Sequence, residues 1–294
     1  MQKIILYYIF TPISDPLAIV LWQKKLASSL NLRGRIIIAN QGINGTLGGN
    51  IKDLKAYIKE TKTYPGFKSI EFKWSPGQQD DFPKLSVKLR PELVAFGRPE
   101  QIQVSTQGVI GGGKKIKPKQ LHRLIEQKGK EVIFVDGRNY REAAIGRFKN
   151  AVVMNVTHTR DFPNAIADSK YQDLKDKTIV TYCTGGIRCE VLSKLMIDQG
   201  YSDVYQLDGG IVKYLEEFGD QGLWEGSLFV FDKRMAVRAS NNSKLIGRCV
   251  HCAEPTDSYQ NCSNLACNEL ILVCNNCLYK TTTCTNCLNY LPSK

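Results

Sequence analysis

Apolar and polar positions in the first hundred residues switch between strand and helix periods in an ordered way. Residues 3–10 (Lys-Ile-Ile-Leu-Tyr-Tyr-Ile-Phe) alternate little and predict a buried strand. Asp15-Pro16 opens a helix reaching about Leu30, since aspartate can cap it and proline suits its first turn. Arg35–Ala39 is a second strand, ended by the turn-forming cluster Asn40-Gln41-Gly42-Ile43-Asn44-Gly45. Thr46-Leu47-Gly48 predicts a short third strand, and Asn50 caps a second helix from Ile51 to about Thr61. Phe67–Trp74 and Lys84–Leu89 alternate as half-exposed strands. The order β-α-β-β-α-β-(β) predicts a ferredoxin-like or acylphosphatase-like α+β sandwich over residues 1–100.

From about Ile116 to Gly222 the pattern alternates strand and helix, which predicts an α/β domain with a parallel sheet covered by helices on both faces. The intervening residues 101–115 read as a linker. Within them Gly108-Val109-Ile110-Gly111-Gly112-Gly113-Lys114-Lys115 nearly matches a phosphate-binding loop. Lys115 stands where a Mg²⁺-holding hydroxyl is needed, and Pro118 interrupts the helix that should follow. Residues 223–294 form a cysteine-rich C-terminal region.

The candidate chemistry lies in Cys183-Thr184-Gly185-Gly186-Ile187-Arg188-Cys189-Glu190, between the apolar run Thr178–Tyr182 and the helix-period segment Val191–Met196. A cysteine therefore sits where a buried strand turns into a helix. Two glycines let backbone N–H groups curl inward, and the helix end adds its positive dipole. Such a nest stabilises a thiolate, or a group carried on sulfur, and Arg188 can close it as a charged donor. The plainer reading is a buried cysteine beside an ordinary Gly-Gly turn; strand, loop composition and arginine together favour the reactive loop. Cys189 is either a resolving thiol or a small core residue, with core preferred. Asp136 and Arg138, after the strand Val132–Val135, either line the same mouth or form an internal salt bridge, which is preferred.

Cys-x-x-Gly-x-Arg resembles the active loop of rhodanese domains, which carry a persulfide on that cysteine. Val132–Glu142, Ile145–Ala151 and Val204–Gly210 resemble the flanking stretches of the same fold, with Gly137 and Arg147 departing from the commonest residues there. The succession of front module, rhodanese and cysteine-rich tail is similar to the rhodanese-containing tRNA uridine hydroxylases, as is Trp224–Asp232. The resemblance implies an oxidoreductase of the monooxygenase kind that hydroxylates the wobble uridine of tRNA at C5 with dioxygen as co-substrate. It implies Cys183 and Arg188 as catalytic residues and Thr184, Gly185, Gly186 and Ile187 as their loop. No redox cofactor site is legible: three histidines form no 2-His-1-carboxylate motif, and no dinucleotide fingerprint appears. The alternative is plain sulfur transfer through a Cys183 persulfide from a small-molecule donor.

Charge changes this picture. Residues 1–100 carry 15 lysines and arginines against 8 acids, and residues 101–149 carry 11 against 4, whereas the remainder is slightly acidic. A basic front half beside a neutral reactive half suits a polyanion gripped by one part and processed by the other; solvated lysine faces are the plain alternative. Lys84, Lys88, Arg90 and Arg98, interleaved with Phe72, Trp74 and Phe82, suit RNA backbone contact with base stacking. The ten cysteines argue for a reducing cytosol, with thiols used for metal or catalysis, and no run is long enough for a membrane span. Eight of them, Cys249, Cys252, Cys262, Cys267, Cys274, Cys277, Cys284 and Cys287, fall in four close pairs. This predicts two closed structural Zn²⁺ sites, with sequential and alternate pairing both open.

Overall fold

The computed structural model describes residues 1–289, so the last five residues of the C-terminal region 223–294 lie outside the described residues. The front domain contains β1 (Gln2–Phe10), α1 (Pro16–Ser29), β2 (Arg33–Ala39), β3 (Gly42–Asn50), α2 (Ile51–Thr61), β4 (Glu71–Ser75) and β5 (Leu85–Leu89). Its sheet runs β4-β1-β3-β2-β5, antiparallel except for the β2–β5 pair. The predicted sandwich is present. One helix begins as expected, because Asp15 accepts a 2.9 Å hydrogen bond from the Ala18 amide.

Asn50 precedes α2 without a side-chain capping bond, and two strand expectations needed correction. The glycine-rich stretch after Asn40 is the long central strand β3, since a tight hairpin needs only Asn40-Gln41. Its glycines admit close neighbours: a Cβ on Gly45 would sit 2.3 Å from the Tyr7 ring. Phe67 belongs to a short 3₁₀ turn rather than a strand, because Pro65 starts that turn and Phe67 is wholly buried in the core.

The weak alternation of β1 has a structural cause. Ile5 and Tyr7 pack with Ile36, Ile38, Leu54 and Tyr57 on the helix side of the sheet. Phe10 and Tyr8 instead meet the core of the following domain, beside Val135, Ile179 and Leu192. Both faces are covered, so both are apolar.

After a short hairpin, β6 (Val104–Ser105) and β7 (Gly108–Val109), come β8 (Lys114–Ile116), α3 (Pro118–Lys128), β9 (Val132–Asp136), α4 (Tyr140–Ile145), β10 (Gly146–Phe148), β11 (Val152–Val153), α5 (Phe162–Ala167), β12 (Thr178–Tyr182), α6 (Ile187–Asp198), β13 (Asp203–Leu207) and α7 (Gly210–Phe218). A parallel sheet runs β11-β9-β12-β13-β8, with β12 buried at every residue. The stretch read as a linker thus ends in an edge strand. Its glycines allow a close approach to α6: the Gly113 amide donates to Ser193 at 2.8 Å, and a Cβ there would meet the Ser193 Cβ at 2.8 Å.

Asp136 and Arg138 form the internal salt bridge. Both are fully buried, Arg138 Nε and Nη2 reach the carboxylate at 2.9 and 2.7 Å, and Tyr182 donates to the same carboxylate at 2.8 Å. Arg138→Met is expected to cost about 3–5 kcal/mol, because it strands a buried carboxylate. Urea unfolding checks this, and a loss below about 1 kcal/mol would show that water reaches Asp136.

The C-terminal region continues with β14 (Trp224–Gly226), paired to β10, a small β15 (Leu228–Phe229)–β16 (Ala236–Val237) hairpin, and a β17 (Tyr259–Asn261)–β18 (Leu270–Leu272) hairpin. It reaches back to the front domain through Arg234, which donates to the Pro76 carbonyl at 2.5 Å. No helix among the described residues is long and apolar enough to cross a membrane.

Candidate active site

Cys183 follows β12 directly, and α6 begins four residues later, so its sulfur lies at the C-terminal end of a central parallel strand. The turn between them requires Gly186, whose φ of +99° favours glycine and whose N–H points at the Cys183 sulfur, 3.2 Å away. From the other side the N-terminus of α7 presses on the loop, where the Ile211 and Val212 amides donate to the carbonyls of Cys183 and Thr184 at 2.9 and 3.0 Å. Gly210 makes this approach feasible: a Cβ there would stand 2.5 Å from the Cys183 carbonyl oxygen and 2.6 Å from the Gly186 nitrogen.

Burial pushes the Cys183 thiol up. Against it, the Cys189 thiol, the Arg188 charge and the backbone amides of Cys189 and Arg188 pull down, and they hold the group at about 5. The balance of these contacts favours the thiolate. Cys189 is fully buried and moves the opposite way, raised by burial and by the adjacent anion. It is a core residue that also serves as a donor to its neighbour.

Arg188 stands beside the loop with its guanidinium already engaged. Its two terminal nitrogens hold both oxygens of buried Glu142 at 2.5 and 2.7 Å, and Thr184 Oγ1 lies 3.4 Å from one of them. Glu142 escaped the sequence reading, although its place three residues after Asn139 marks a helix cap. The Asn139 side chain accepts from the Glu142 amide at 2.9 Å, and the Asn139 amide donates back at 3.2 Å.

The loop opens into a cleft of about 960 Å³ shared by all three parts of the chain. Cys183, Thr184, Gly185, Ile187 and Arg188 line one wall, and the front sheet contributes Tyr8, Arg35, Lys73, Lys84, Lys88 and Arg90. Phe231, from the C-terminal region, lines it as well and is 60% exposed. Of the residues singled out from sequence for RNA contact, Lys84, Lys88, Arg90 and Phe82 share this cavity with the cysteine loop, whereas Arg98 does not line it and Phe72 and Trp74 pack against the front-domain core. Tyr8, Lys73 and Phe231 were missed, because nothing local in a strand or hairpin announces a neighbour distant in the chain.

In the tail, Cys249, Cys252, Cys274 and Cys277 form one set of four sulfurs, and Cys262, Cys267, Cys284 and Cys287 a second; within each set all sulfurs lie within 4.8 Å of one another. Alternate pairing is therefore the arrangement adopted. The Cys252–Cys274 and Cys267–Cys284 sulfurs are 3.5 and 3.8 Å apart. Tetrahedral thiolates at about 2.3 Å from a metal would sit about 3.8 Å from each other. Amides of Cys284 and Cys287 donate to sulfurs at 3.3 and 3.4 Å, as anionic ligands require. Both donor sets fit a metal ion.

Comparison with known proteins follows the same three parts. Residues 2–93 match an acylphosphatase-like domain model (UPF0176), residues 117–217 the rhodanese-like domain, and residues 225–289 the rhodanese C-terminal model. A tRNA uridine(34) hydroxylase of Corynebacterium glutamicum (strain R) is 58% identical over 283 residues, 96% of this chain and 91% of the relative. Its counterpart from Corynebacterium kroppenstedtii is 54% identical over 98% of both chains. The Rhodococcus jostii protein of the same name is 55% identical over 94% of this chain and 96% of its own. Alignments at this identity cover nearly the whole chain, and on that ground the chain belongs to the tRNA uridine(34) hydroxylase family.

Proposed function

We propose that this chain installs a hydroxyl group on C5 of the uridine at position 34 of tRNA, with dioxygen as co-substrate and Cys183 as the reactive centre. The observation that carries the reading is the shared cleft, which places the cysteine loop opposite Lys84, Lys88 and Arg90. The name borne by relatives over half identical along nearly the whole chain supports it. Replacing C5–H by C5–OH with one atom of O₂ releases the other as water, and this consumes two protons and two electrons from a thiol-class reductant. Plain sulfur transfer through a Cys183 persulfide needs only the loop and leaves the cationic wall without a purpose.

In this reading Lys84, Lys88 and Arg90 contact tRNA phosphates, and Phe231 offers a face on which an unstacked base can rest. Zinc is the metal assigned to both tail sets, since four thiolates close its tetrahedral shell. The cytoplasm, which keeps such thiols reduced, is the proposed location.

Nucleoside analysis of tRNA from cells lacking the protein tests the activity: loss of 5-hydroxyuridine derivatives is expected, and unchanged tRNA refutes it. Neutralising Lys84, Lys88 and Arg90 together is expected to weaken tRNA binding and reduce its salt dependence by roughly one unit of slope per lost phosphate contact. An unchanged slope would move the RNA surface elsewhere.

A further inference from the structure

The arginine of the cysteine loop draws the Cys183 thiol down, but it is not a free cation. Both of its terminal nitrogens are engaged by Glu142, which offsets part of its charge. A second cation approaches the loop from the front domain. Lys73, in the middle of β4, donates from Nζ to the Gly185 carbonyl at 2.6 Å, and its ammonium lies 5.2 Å from the centroid of the Tyr8 ring.

That carbonyl belongs to the same planar peptide as the Gly186 N–H, and in a trans peptide the two point in opposite directions. One side of the peptide is held by Lys73, and the other faces the Cys183 sulfur at 3.2 Å. Fixing the carbonyl therefore aims the amide, and polarising it strengthens the bond that the amide makes. Tyr8 backs the same turn: a Cβ on Gly186 would lie 2.9 Å from its hydroxyl, which donates to Glu190 at 3.2 Å.

Nearby carboxylates do not neutralise the lysine. Glu71 and Asp208 each pair with Lys213 at 3.6 Å, and Lys73 makes no ion pair among the described residues. Burial lowers its pKa, against an upward pull from Cys183, Glu71 and Asp208.

We propose that Lys73 is a positioning residue of the reactive loop, which orients the Gly185–Gly186 peptide toward the Cys183 sulfur and adds a second positive charge, held in no ion pair among the described residues, to stabilise an anion carried there. The front domain thereby completes the active centre as well as gripping substrate. The inference rests on Cys183 being the reactive centre, and not on which substrate reaches it.

The titratable groups around the loop are Arg188, Cys189 and Glu190 of α6, Glu142 of α4 on Arg188, and Tyr8 and Lys73 of the front sheet, with Lys115 paired to Glu190 and Asp208 and Lys213 acting on Lys73. The test is a thiolate absorbance titration of the full, metal-loaded chain, read as the difference between each protein and its Cys183→Ser counterpart. The native midpoint is expected at about 5. Lys73→Met retains the apolar stem and is expected to raise the midpoint by about one pH unit, a tenfold fall in thiolate at a pH below both midpoints. Lys73→Arg restores most of it. A role in packing alone would leave the midpoint in place, so coincident curves for Lys73→Met and the native chain overturn the proposal. Should Lys73→Met lose its fold, Lys73→Gln carries the same comparison. No tRNA enters the titration, so failure of the hydroxylase reading and failure of this inference are distinct results.

Discussion

Cys183→Ser is expected to abolish tRNA hydroxylation, with a fall of about three orders of magnitude or more in turnover, as for other nucleophiles that act within a unit. The reason lies in the ionisation of the group. The loop amides, the Cys189 thiol and the Arg188 charge outweigh burial and keep the native sulfur anionic at neutral pH. A serine hydroxyl in the same cradle stays protonated and cannot carry a persulfide. The pH dependence has a definite sign: the thiolate-linked stabilisation of the loop is complete above the ordinary thiol range and declines as pH falls through about 5. Activity should follow, holding near neutrality and failing on the acid side. Cys189→Ser keeps a small donor next to the sulfur and is expected to cost no more than about tenfold. Nucleoside analysis of tRNA incubated with each variant reads both effects. Full activity in Cys183→Ser would end the thiol mechanism, and a Cys189→Ser defect as deep as that of Cys183→Ser would make Cys189 a resolving thiol.

Removing metal is expected to unfold the tail. Its buried cluster consists of Cys249, Cys262, Cys274, Cys277 and Cys284 around only Ile271 and Val273. Without ions, little apolar surface remains to offset the entropy of ordering this segment. Structural zinc sites of this kind contribute about 10–16 kcal/mol of apparent binding free energy, which is available to folding only while metal is bound. Freshly purified protein should therefore hold about two zinc ions, with all ten cysteines titratable under denaturing conditions. Chelation should expose the tail to protease, beginning in the connection between β17 and β18, where Cys262 and Cys267 would lose their metal. Cys274→Ser should remove one ion and leave the other, because the interleaved sets share no residue. Absence of zinc with only two titratable thiols would establish disulfides in place of metal.

The boundary between what was legible and what was not follows contact range. The front sandwich could be read from strand and helix periods, since each element's buried face is written in its own residues. The cysteine loop could be read for the same reason: strand, glycine turn and helix start are consecutive in the chain. Four cysteine pairs announced metal, because two ligands at close spacing are a local feature. The strand β3 was misread where its glycines looked like a turn, since their function is to admit Tyr7 and Leu32 from other segments.

By itself, then, the sequence determined the three modules, their order, the candidate reactive loop and the eight cysteines that gather into two sets. Tertiary structure alone decided which cysteine pairs combine, for alternate and sequential pairing bury the same residues and differ only in how the tail folds back on itself. It also turned Arg188 toward Glu142 and brought Lys73 to Gly185 from 112 residues away. Hydrogen bonds and ion pairs are short-ranged and directional, so their partners are chosen by the packing of separate elements and leave no periodic trace along the chain.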